Sequence, residues 1–80
     1  MKIVKFETIG CPNCRKLSAI LNVANLVPDR DIIISEENLD IAKKFNVQSF
    51  PTLLKLEDGK EIARISGLVP LSKLKEFFDV

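Results

Sequence analysis

Asp58-Gly59 stands between two apolar runs, residues 52–57 and 60–66, and restricts the topology of the chain more than any other feature. An Asp-Gly pair between strand-like segments is the strongest short-range signal for a two-residue hairpin, so these two strands are expected to be antiparallel neighbours. The earlier strands cannot be joined that way. Residues 2–7, with Ile3, Val4 and Phe6 nearly continuous, read as a strand covered on both faces. The next β-branched run, Ile32-Ile33-Ile34, is short enough to be a second buried strand. Between them Leu17, Ile20, Leu21 and Ala24 recur at i, i+3, i+4 and i+7, predicting a helix over residues 12–26 that Pro28 and Asp29 interrupt. Leu39, Ala42 and Phe45 after Ser35 predict a short second helix, and Leu71, Leu74, Phe77 and Phe78 a third, with Pro70 in its first turn. The order βαβαββα predicts an α/β fold, a four-stranded mixed sheet flanked by helices.

At 80 residues the chain is expected to form one domain, residues 1–80, because two would leave each half too small for a core. The composition, 46% apolar and 29% charged, is that of a soluble globular protein, without the apolar run of about 18 residues that a membrane span needs. Met1-Lys2-Ile3-Val4-Lys5-Phe6 is too short an apolar run for an export signal, so a cytoplasmic location is expected. Charges are dispersed and sum to +1, which implies neither nucleic acid nor a membrane as partner, and a monomer is expected. The chain has no histidine and only two cysteines. Imidazole bases and the commonest metal ligand are thereby removed, and neither a metal nor another cofactor is implied.

The two cysteines lie in Cys11-Pro12-Asn13-Cys14, between the first strand and the first helix. With Pro12 at the first helical position, Cys11 falls at the N-cap, where free backbone N–H groups and the positive end of the helix dipole favour an anion. A thiolate is the anion available, and it is the attacking species in disulfide exchange. Arg15 and Lys16, in the first turns, would add to the effect if they point toward Cys11. Cys14 is in register with Leu17 and Leu21 and belongs to the buried stripe. The roles separate accordingly: an exposed Cys11 attacks a partner disulfide, and a shielded Cys14 resolves the mixed disulfide. Residues i and i+3 at a helix start are about 5–6 Å apart at Cα, within disulfide range. A structural disulfide closing so short a loop would contribute little, and a zinc site lacks two ligands. An inert buried pair remains the third alternative.

Phe50-Pro51-Thr52 places a proline at a strand entry, where one lost N–H is tolerated. A cis Pro51 would instead turn the Phe50 backbone toward the cysteines, where its carbonyl and N–H could pair with a substrate strand. Here the chain resembles a known family. Residues 47–56, Asp58-Gly59-Lys60, Ser66-Gly67 and Leu74-Lys75-Glu76-Phe77, with the cysteine pair after the first strand, look like thioredoxins over nearly the whole chain. The resemblance implies a thioredoxin fold in minimal form, a cis Pro51 packed against the cysteines, and Gly67 lining the same groove; Gly67 otherwise reads as a bulge or strand terminus. It implies a thiol–disulfide oxidoreductase with Cys11 as nucleophile and Cys14 as resolving thiol. Pro12, Phe50, Pro51 and Gly67 would form the substrate surface, with protein disulfides as substrates and an upstream reductase of the thioredoxin-reductase type.

The departures matter as well. Thr8-Ile9-Gly10 replaces the tryptophan-bearing approach of thioredoxins, and a counterpart to that family's N-terminal strand and helix is not expected. Cys-Pro-x-Cys and Ser66-Gly67-Leu68-Val69-Pro70 bring the chain closer to glutaredoxins and to the small redoxins that serve ribonucleotide reductase. The glycine pair with which many glutaredoxins hold glutathione is absent around Gly67. Lys5 occupies the place of the family's buried aspartate, six residues before the first cysteine. It reads either as a surface lysine with a snorkelling stem or as a buried cation that tunes Cys14, with Glu7 or water as the alternative proton acceptor. Besides a reductase, the residues allow an oxidase or isomerase, or a binding module that docks a partner in the same groove.

Overall fold

The computed structural model describes all 80 residues. Its elements are β1 (Lys2–Thr8), α1 (Pro12–Val23), β2 (Arg30–Ile34), α2 (Leu39–Lys44), β3 (Thr52–Glu57), β4 (Lys60–Ser66) and α3 (Leu71–Phe77). The sheet runs β2-β1-β3-β4, with β1 parallel to β2 and antiparallel to β3, and β3 antiparallel to β4. Asp58 and Gly59 take φ of 52° and 78°, the paired left-handed conformation of the hairpin turn that matches strand twist.

Side chains alternate across the sheet and build two cores. On one face Ile3 and Leu53 meet Leu17 and Leu21 of α1 and Leu74 and Phe77 of α3. On the other, Val4, Phe6 and Leu54 meet Ile34, Val47 and Ala42 of α2. β1 and β3 are therefore the covered strands, whereas β2 is an edge. The isoleucine run is not a buried strand as expected: Ile32 and Ile34 face α2, but Ile33 stays 52% exposed.

The first helix ends three residues earlier than its apolar stripe suggests. Asn25 adopts φ 57°, Leu26 N–H donates to the Leu21 carbonyl at 2.9 Å, and Asn25 N–H donates to that of Asn22 at 3.2 Å. This reversal turns Leu26 back into the core beside Leu21. α2 and α3 end the same way, with Asn46 and Asp79 at φ 54° and 60°. Val47 N–H then reaches Ala42 at 2.8 Å, and Val80 N–H reaches Lys75 at 3.0 Å. Pro70 lies one residue outside α3, at its N-cap, rather than in its first turn.

Arg64 of β4 fixes the far end of α2. Its Nη2 donates to the Phe45 carbonyl at 2.7 Å and its Nη1 to that of Asn46 at 3.1 Å, while Nε donates to Glu61 at 2.6 Å. The hydrogen bond from Arg64 holds the Glu61 carboxyl below the usual carboxylate range, against a smaller opposing effect of burial. A depressed carboxylate contributes stability above its unfolded-state value and loses it as pH falls through the folded one. Urea unfolding between neutral and strongly acidic pH should show less acid loss in Glu61→Gln than in the native chain. For the core, Leu53→Ala should cost about 3 kcal/mol. Ile33→Ala should cost under about 1 kcal/mol, because half of its side chain is already in water.

Candidate active site at the end of the first strand

β1 ends at Thr8, Gly10 turns the chain, and Cys11 takes an extended conformation (φ −103°, ψ 104°) as the N-cap of α1. Pro12 follows at a position where a missing N–H costs nothing. Cys14 N–H donates to Cys11 Sγ at 3.1 Å, so the cysteine sulfur fills the acceptor role that Ser or Asp fills at most helix starts. The two cysteines are joined as a disulfide, with Cα atoms 5.2 Å apart. Their surroundings differ sharply: Cys14 is 1% exposed, while Cys11 is half-buried, a little less open than expected.

The antiparallel register of β1 and β3, which pairs Phe6 with Thr52, brings the start of β3 beside the end of β1. The Phe50–Pro51 peptide bond is cis. Cys11 Sγ lies 3.9 Å from the Phe50 carbonyl oxygen. Thr52, itself buried, donates its hydroxyl to the Ser49 carbonyl at 2.7 Å, spanning Phe50 and Pro51. Gly67 N–H donates to the Pro51 carbonyl at 2.8 Å. Gly67 has φ 78°, and a Cβ there would meet nothing within 4 Å, so the space above it is open. Cys11, Cys14, Phe50, Pro51 and Gly67 are thus joined by direct contacts across three segments, and Pro12 stands exposed on the same rim.

Lys5 is not a surface lysine. Only 4% exposed, it donates to the Ser18 hydroxyl and pairs with Glu7 at 3.4 Å and Asp31 at 3.3 Å. Neither cysteine sulfur is among the partners of its ammonium. Arg15 is exposed and makes no ion pair. Sequence reasoning did not find Ser18 or Asp31, which complete the Lys5 cluster. The only hint of Ser18 was its place one turn after Cys14, and Asp31 became its partner through the parallel register that sets it opposite Lys5.

Four cavities indent the molecule, and none is lined by Cys11, Cys14, Phe50, Pro51 or Gly67. One of about 480 Å³, with Val4, Phe6, Ile32, Phe45 and Leu56 in its wall, lies at the opposite end of the sheet by the Asp58-Gly59 turn. The cysteine pair therefore meets solvent at Cys11 and the exposed Pro12, outside these cavities. No group of three or more Cys, Asp or Glu side chains is arranged to hold a metal ion, and no helix is long and apolar enough to cross a membrane.

Comparison with known proteins agrees with this geometry. A family model described as a thioredoxin-like domain matches residues 2–79. The thioredoxin of Chlamydia pneumoniae is 41% identical over 78 residues, 94% of this chain and 72% of the relative. That of Staphylococcus haemolyticus is 31% identical, covering 99% of this chain and 80% of the relative. Among solved structures, Fasciola hepatica thioredoxin superposes with a TM-score of 0.70 at 30% identity, over 96% of this chain and 76% of that one. Malassezia sympodialis thioredoxin shares the fold, with a TM-score of 0.78 at 20% identity over 96% of this chain and 70% of that one. The extent of the family match and the level of identity make this chain a member of the thioredoxin-like family.

Proposed function

We propose that the protein is a protein-disulfide reductase, an electron carrier that works through the Cys11–Cys14 pair. The observation that carries this reading is the asymmetry of the pair: a capped, accessible sulfur bonded to a buried one, on an open surface. A helix N-terminus favours Cys11 as a thiolate once the disulfide is reduced, through the Cys14 N–H and the dipole of a 12-residue helix. A flat site suits a disulfide presented by another protein better than a small molecule, which binds in a concave pocket.

The exchange balances as follows. The Cys11 thiolate attacks one sulfur of the partner disulfide, forming the mixed disulfide, and the other partner sulfur leaves as a thiolate that takes up a proton. Cys14 then loses its proton and attacks Cys11 Sγ. The internal disulfide forms, and the second partner sulfur leaves and is protonated. Two electrons and two protons pass from the dithiol to the partner. Phe50 supplies backbone groups at the edge of the cysteine site, and cis Pro51, Pro12 and Gly67 shape the surface on which a partner strand lies. A reductase of the thioredoxin-reductase type returns the electrons.

Unequal roles give unequal mutants. Cys14→Ser should accumulate stable mixed disulfides with a model protein disulfide as substrate, seen by non-reducing electrophoresis and released by dithiothreitol. Cys11→Ser should accumulate few, since the remaining thiol is 1% exposed. Both should fall to the background rate of uncatalysed exchange. Equal trapping by the two variants would refute the assignment of roles.

A further inference from the structure

Lys5 is a buried cation that the exchange just described leaves without a part. Its ammonium lies between the sheet and α1: on β1 it points to the same face as Ile3, where α1 packs, and it reaches Ser18. Cys14 sits one turn before Ser18, and helix residues four apart are neighbours at about 5–6 Å between Cβ atoms. Cys14 and Lys5 are both closed off from solvent, at 1% and 4% exposed. We propose that the Lys5 ammonium, held in place by Ser18, Glu7 and Asp31, is a positioning residue that favours the thiolate of Cys14 and so speeds the resolving half of the exchange. This rests on the reductase reading and gives a reason for the second thiol to release its proton inside the protein.

Two carboxylates lie against the same ammonium, and their placement decides the sign. The Lys5 side chain is 5% exposed, whereas those of Glu7 and Asp31 are 21% and 54% exposed. Water screens the anions on the outer side, and the cation occupies the inner side toward α1. β3 presents no compensating anion, since the residue in register with Lys5 is Leu53. A cavity of about 310 Å³ lined by Lys5, Glu7, Ser18 and Asp31 opens beside the cluster.

The test isolates one thiol. In a Cys11→Ser background, the thiolate absorbance of Cys14 is titrated against pH in chains carrying Lys5, Lys5→Arg, Lys5→Met or Lys5→Gln, with folding checked by circular dichroism. Loss of the charge should raise the midpoint by about one pH unit, and Lys5→Arg should recover at least half of that. Lys5→Gln keeps hydrogen-bonding capacity and serves where Lys5→Met fails to fold. In the native cysteine background, Lys5→Gln should slow mixed-disulfide resolution near neutral pH about tenfold and leave the first attack by Cys11 unchanged. A midpoint that stays put or falls in the neutral variants overturns the proposal. Because the titration uses no partner protein, that result would leave the reductase reading standing.

Discussion

The pairing of β1 with β3 is the constraint on which the rest of the structure depends. These two strands are covered on both faces, and their antiparallel register sets the end of one beside the start of the other. The residue after the β1–α1 turn is Cys11, and the residues before β3 are Phe50 and Pro51. The contact between Cys11 Sγ and the Phe50 carbonyl therefore follows from sheet register, although the two residues are 39 positions apart. The hairpin then carries Gly67 back to the same place and hydrogen-bonds it to Pro51. Slipping this register by one residue would turn Phe6 and Leu54 out of the core and dismantle the site together with it.

Within that frame, one helix start makes two chemically distinct thiols from identical side chains. Cys11 is the cap and faces the rim, where unpaired N–H groups favour negative charge. Cys14 continues the stripe of Leu17 and Leu21 into the core, where desolvation alone would disfavour a thiolate. Under the proposed exchange, the second half needs something to offset that cost. Lys5, buried and bonded to Ser18 one turn after Cys14, is the cation proposed to do so.

Much of this was legible in the residues. The strands around Asp58-Gly59 occupy the residues expected, since a two-residue turn leaves no freedom in strand ends. The cap role of Cys11 and the burial of Cys14 follow from Pro12 and from the spacing to Leu17 and Leu21. The end of α1 was not legible, because Ala24 and Leu26 continue an apolar pattern while Asn25 reverses the backbone. The edge position of β2 was hidden for another reason: three isoleucines read alike in a central or an outer strand, and only strand order separates them. Burial of Lys5 likewise depends on Asp31, which reaches it across a parallel pairing that no local pattern encodes.

The central claim is that an accessible capped sulfur and a buried partner pass electrons to protein disulfides. The most direct measurement is the rate at which dithiothreitol reduces a model protein disulfide, such as that of insulin, with and without catalytic amounts of the purified chain. The account predicts acceleration proportional to the amount of chain and absent when both cysteines are serine. A chain whose own disulfide is reduced by dithiothreitol, yet which leaves that rate unchanged, would contradict it.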